Sequence, residues 1–141
     1  MPAARWSGLA LLCFFLASCA GDGVDPIGIV SPPMPVTLTE IQNQIFTPRC
    51  TSTICHGGAF PQFGMNLEEG QTISNTVGVD SAELMGFFRV EPGNSTDSYL
   101  FMKLVGDPRI IGERMPFGGP FLSSDELLLV AQWIDDGALD N

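Results

Sequence analysis

Two cysteines and the only histidine of the chain fall together in Cys50-Thr51-Ser52-Thr53-Ile54-Cys55-His56, with Gly57-Gly58 directly behind them. Two thiols can add across the two vinyl groups of a haem, and an imidazole beside them can ligate its iron; this is the chemistry of c-type haem attachment. The usual pattern places two residues between the cysteines. Here there are four, so Thr51 to Ile54 must bulge outward if both sulfurs are to reach one porphyrin edge. A disulfide between Cys50 and Cys55 is the plain alternative, since cysteine pairs in oxidising compartments commonly form one. Zinc fits less well, because a closed site takes four ligands and only three Cys and His candidates lie near. The histidine directly behind the second cysteine favours haem.

A second axial ligand could come from a loop. Met115 and Met65 both lie in loops, and a soft thioether would favour reduced iron and raise the potential relative to a second imidazole. Met85 and Met102 fall on helical patterns and read as core residues.

The elements that must position these groups are helical. Thr37-x-x-Glu40 has the form of a capping box, and Leu38, Ile41, Ile45 and Phe46 repeat with helical spacing until Pro48 closes the run before Cys50. Gly57 to Gly64 holds too many breakers for regular structure, and its Phe60 and Phe63 suit either a cofactor cover or ordinary core. Residues 66–79 show no period and read as coil. Asp80-Ser81-Ala82-Glu83 predicts a short helix through Phe88. Ser95 or Asp97 caps another through Val105, stopped by Gly106. Residues 107–120 form a long Gly- and Pro-rich loop. Ser123-x-x-Glu126 opens the clearest helix, with Leu127, Val130, Ala131 and Ile134 on one face, Trp133 at its border and Gly137 as its end. No strand pair is evident, so the expected class is all-α.

Ahead of this domain, Arg5 and the apolar run Leu9 to Leu16 have the form of an export signal too short to span a bilayer. Leu16-Ala17-Ser18-Cys19 resembles a bacterial lipobox, which implies cleavage before Cys19 and lipidation of its thiol. Cys13 then leaves with the signal, and Cys50 and Cys55 remain as a pair. The expected organisation is a signal peptide over 1–18, a flexible tether over 19–36, rich in Gly and Pro, and a folded domain over 37–141.

Taken in order, Ile45-Phe46, Cys55-His56-Gly57-Gly58, Arg89-Val90-Glu91-Pro92-Gly93-Asn94-Ser95 before Ser98-Tyr99-Leu100, Arg114-Met115-Pro116, and Ser123 through Trp133-Ile134-Asp135-Asp136-Gly137-Ala138 resemble the small monohaem cytochrome c domains of bacterial exported proteins. The resemblance covers about residues 38 to 138 and departs from the family in the four-residue gap between the cysteines. It implies a cytochrome c-like fold in which N- and C-terminal helices cross near the edge of one covalent haem c. It further implies that Cys50 and Cys55 hold the macrocycle, that His56 is one axial iron ligand, and that Met115 is the other.

Of the six Lys and Arg residues only Arg5 lies within 1–18, so the mature chain keeps five against 16 Asp and Glu, a net charge of −11. That balance opposes nucleic-acid binding and suits either a solvated exported surface or steering toward a basic redox protein partner. The expected function is electron transfer by a cell-envelope lipoprotein, periplasm-facing or in the outer membrane, held to the membrane by its N-terminal lipid. Two other functions compete. A haem enzyme with an open sixth position would need a distal acid or base, and no second histidine exists to supply one. A haem-free interaction lipoprotein would carry a Cys50–Cys55 disulfide. No phosphate loop, nucleophile elbow or paired-carboxylate constellation is present.

Overall fold

The computed structural model describes residues 34–141. The expected signal peptide, Cys19 and the tether as far as residue 33 lie outside the described residues.

The first helical run is built in three pieces: α1 over Leu38–Ile41, a π-helical turn over Gln42–Phe46, and α2 over Thr47–Arg49. All four leading N–H groups of α1 find acceptors. Thr37 Oγ1 takes the Glu40 N–H and the Thr37 carbonyl takes that of Ile41, while Asn141, far along the chain, takes Leu38 N–H on its side chain at 2.9 Å and Thr39 N–H on its carbonyl at 3.1 Å. The expected capping box is therefore present, and the C-terminal residue completes it. Pro48 does not close the run at once: it contributes no N–H, Thr47 N–H reaches back to the Gln42 carbonyl in the wider π pattern, and helical structure continues to Arg49.

α5, Ser124–Asp135, opens with the expected capping box of Ser123 and Glu126. It packs on α1 and on α4, Tyr99–Val105, which is entered from the capping residue Ser98 and ended by the left-handed Gly106. Ile41, Ile45 and Phe46 from the first run meet Val130, Trp133 and Ile134 of α5 and Leu100 and Leu104 of α4 in one core. Each such fully buried side chain contributes about 1.5–3 kcal/mol relative to exposure. Trp133 is 1 % exposed and donates its indole N–H to the Leu139 carbonyl, so it is a core residue and not a border one. Asp135 clips Ser95, accepting from its backbone N–H and hydroxyl at 2.8 and 3.1 Å.

The middle of the chain departs from expectation. Thr72–Thr76 forms a short helix, α3, where coil was expected, with Thr72 and Thr76 buried. The helix expected over 80–88 does not form. Ser81 Oγ does accept the Glu83 and Leu84 N–H groups as a cap would, but two isolated bridges, Val77 with Val90 and Asp80 with Phe88, draw the following residues into extended pairing. Met85 is consequently 92 % exposed and not a core residue, whereas Met102 on α4 is buried as expected. Among the described residues there is no longer strand, and no helix is long and apolar enough to cross a membrane.

Candidate functional site

The bulge expected between the cysteines is a closed, hydrogen-bonded turn. Cys55 N–H and Gly57 N–H both donate to the Ser52 carbonyl at 2.8 and 3.3 Å, and His56 N–H donates to the Cys50 carbonyl at 3.0 Å. Ser52, Thr53 and Ile54 are thereby pushed into solvent, Ile54 to 79 % exposure. The turn leaves no space at Gly57, where an added Cβ would lie 2.1 Å from the Thr51 carbonyl oxygen. Only glycine fits there.

Both thiols are free and not bonded to each other. Cys50 is buried, and loss of water around it pushes its thiol pKa up to about 11, so it is a protonated S–H. The His56 imidazole is held below its ordinary pKa of 6.5 chiefly by burial, opposed by its hydrogen bond to the Met65 carbonyl. That bond, Nδ1–H to Met65 O at 3.1 Å, fixes the tautomer of a neutral ring. Nε2 keeps its lone pair, which is the state in which a histidine ligates a metal while a carbonyl holds its other nitrogen. Leu67 N–H on the His56 carbonyl at 2.8 Å and Gln62 N–H on the Cys55 carbonyl at 2.8 Å tie the same loop down.

Cys50, Cys55, His56, Met65 and Met115 line a single cavity of about 370 Å³, within the range of roughly 300–1,000 Å³ common to cofactor clefts. Phe46, Leu67, Leu100 and Leu104 supply much of its apolar wall. Of the two loop phenylalanines, Phe63 lies at the rim, 58 % exposed, while Phe60 points into solvent at 91 %. Met115 comes from the wall opposite in sequence: its N–H donates to the Lys103 carbonyl at 2.9 Å, the adjacent Arg114 Nε–H donates to the Leu104 carbonyl at 2.8 Å, and the Arg114 guanidinium stacks 4.2 Å from the Phe121 ring centre. Among the described residues no three His, Cys, Asp or Glu side chains converge as a metal cage.

Four charged residues of the cavity were not among the expected site residues: Arg49, Glu83, Arg89 and Lys103. Arg49 pairs with Glu126 at 2.6 Å and donates to the Pro120 and Phe121 carbonyls. Arg89 donates to the carbonyls of Phe63, Gly64 and Asn75, holding Phe63 at a left-handed φ of 53°. Three of the five cations in residues 34–141 line this one cavity. In so acidic a chain, the scarcity of cations was the signal that could have singled them out.

Compared with protein-family models, curated proteins and solved structures, the chain has no match.

Proposed function

We propose that this protein is a membrane-tethered monohaem c-type cytochrome whose task is electron transfer. The observation that carries the reading is the His56 ring: its Nδ1–H is spent on the Met65 carbonyl, and burial keeps it a neutral imidazole in an apolar cavity that both cysteines also line. The donor set fits the group. Cys50 and Cys55 would hold the macrocycle by thioether bonds, and His56 would ligate the iron. Met115 is favoured over Met65 as the second axial ligand because the Met65 backbone already stands behind the imidazole, on its Nδ1 side. When bound, haem c supplies one-electron chemistry.

The chain's own part is to keep the site dry and unchanging. The apolar wall from Phe46, Leu67, Leu100 and Leu104 excludes water, and backbone bonds hold the imidazole in one tautomer. Both ligand loops are fastened to their surroundings by hydrogen bonds, so a change of charge at the centre calls for little rearrangement. A cytochrome c-like architecture accords with the contact between α1 and α5, and attachment through a lipid on Cys19 with location in the cell envelope.

The intact mass of the mature protein, purified from its membrane, tests attachment and lipidation together. The expected mass is the chain from residue 19 plus acyl groups plus one haem. A colourless polypeptide whose two remaining sulfurs are joined would overturn the reading. A red protein that takes up carbon monoxide freely in the ferrous state would replace the carrier with an enzyme holding an open sixth position.

A further inference from the structure

The loop that carries Met115 has little structure of its own; it is attached to α4. One residue of α4, Lys103, grips it from both directions. Its backbone carbonyl accepts the Met115 N–H at 2.9 Å, and its ammonium donates to the Ile111 carbonyl at 2.6 Å and to the Glu113 carbonyl at 3.4 Å. The third N–H of the ammonium goes to Glu83, whose Oε2 lies 3.0 Å away. All three donors of the ammonium are thus used, and the two side chains are only 10 % and 17 % exposed. Tyr99, one turn earlier on α4, receives the Ile111 N–H on its hydroxyl at 3.1 Å.

A buried ion pair is an expensive way to stabilise a fold, since two apolar side chains of the same volume often do as well or better. What this pair specifies is position. Both carbonyls it holds lie within four residues of Met115, and its carboxylate comes from the otherwise irregular segment after Ser81. We infer that the Lys103–Glu83 pair is the positioning device that keeps the Met115 thioether at the iron, a role that rests on the haem reading above. Without it, the 111–113 carbonyls lose their anchor while the core of α4 and α5 is untouched. Met115 then becomes easier to displace.

The test uses the haem-loaded protein and imidazole as a competitor for the sixth position of the ferric iron. The double variant Lys103→Met/Glu83→Leu removes the pair without leaving a buried charge alone. Imidazole is expected to bind about tenfold more tightly than to wild type, a change on the order of one decade in equilibrium constant, with a thermal midpoint close to that of wild type. Met115→Ala marks the upper limit of the effect. Unchanged imidazole affinity in the double variant overturns the inference. Should that variant not fold, Glu83→Gln carries the test: it is isosteric and keeps one acceptor, so roughly threefold tighter binding is expected, and no change overturns the inference. The outcomes separate from those of the parent reading. A colourless wild type defeats the haem assignment, and a wild type that binds imidazole as readily as Met115→Ala defeats Met115 as the ligand. A red wild type that resists imidazole, with variants behaving alike, defeats only the clamp.

Discussion

The two walls of the cavity are built on opposite principles. The wall that presents His56 rests mainly on main chain: residues 50 to 67 bond to one another, carbonyl to N–H, over short sequence distances, with Arg89 bracing Phe63 and Gly64 from outside. The wall that presents Met115 is a matter of side chains: Tyr99, Lys103 and Arg114 fasten the loop over 111–115 to α4. Short local loops have little closure entropy to overcome and share few partners with the rest of the fold. A loop hung on side chains can be loosened one contact at a time. On the proposed haem reading, the contrast suits a site in which one axial ligand is permanent and the other can be tuned.

The harshest way to break the comparison is at the main-chain wall. Gly57→Ala drives a methyl group into the Thr51 carbonyl and should cost about 3 kcal/mol or more, measured as the urea midpoint, with loss of haem incorporation. A midpoint equal to wild type would mean that the turn is not closed by that carbonyl. On the side-chain wall, Arg114→Ala removes one hydrogen bond and one cation–π stack and should cost about 1–2 kcal/mol. Its sharper readout is hydrogen exchange: the Met115 amide should exchange faster while the Leu67 amide, on the histidine wall, keeps its protection. Equal acceleration of both would show the walls to be one unit.

A smaller effect separates the walls by pH. Burial lowers the His56 pKa from 6.5 in the folded chain, so the unfolded chain takes up the proton first as pH falls. The stability of the haem-free chain is therefore fully present well above pH 6.5 and declines as pH falls through that value. Exchanging His56 for Gln should flatten that decline, and a variant that keeps the wild-type slope would place its origin elsewhere. The least effect is expected from Ile54→Ser. At 79 % exposure the substitution should change stability by no more than about 0.5 kcal/mol, and a larger loss by thermal melting would contradict an extruded turn.

Legibility followed the same division between local and distant causes. The capping boxes at Thr37 and Ser123 and the stop at Gly106 were readable because cap and helix adjoin in sequence. The segment after Asp80 began with a true cap at Ser81, but its fate was settled by pairing with residues 77–80, which no short-range pattern announces. Cys50, Cys55 and His56 were singled out by type and spacing, Met65 by its loop, and Met115 chiefly by the resemblance; all five line one cavity. Lys103 was read only as one residue of a helix run. Its acceptors are loop carbonyls, and a carbonyl belongs to every residue alike.

The π turn over Gln42–Phe46 has a rotational consequence. Each residue of a regular α-helix advances about 100° around the axis, so along an unbroken helix Cys50 would stand roughly 150° away from the centre of the stripe formed by Leu38, Ile41 and Ile45. The wide turn absorbs one residue and winds the chain back by about 100°, which brings Cys50 to within about 50° of that stripe. Cys50 is thus buried on the cavity wall, and the azimuth of the proposed thioether anchor is set by a local defect in the screw that precedes it.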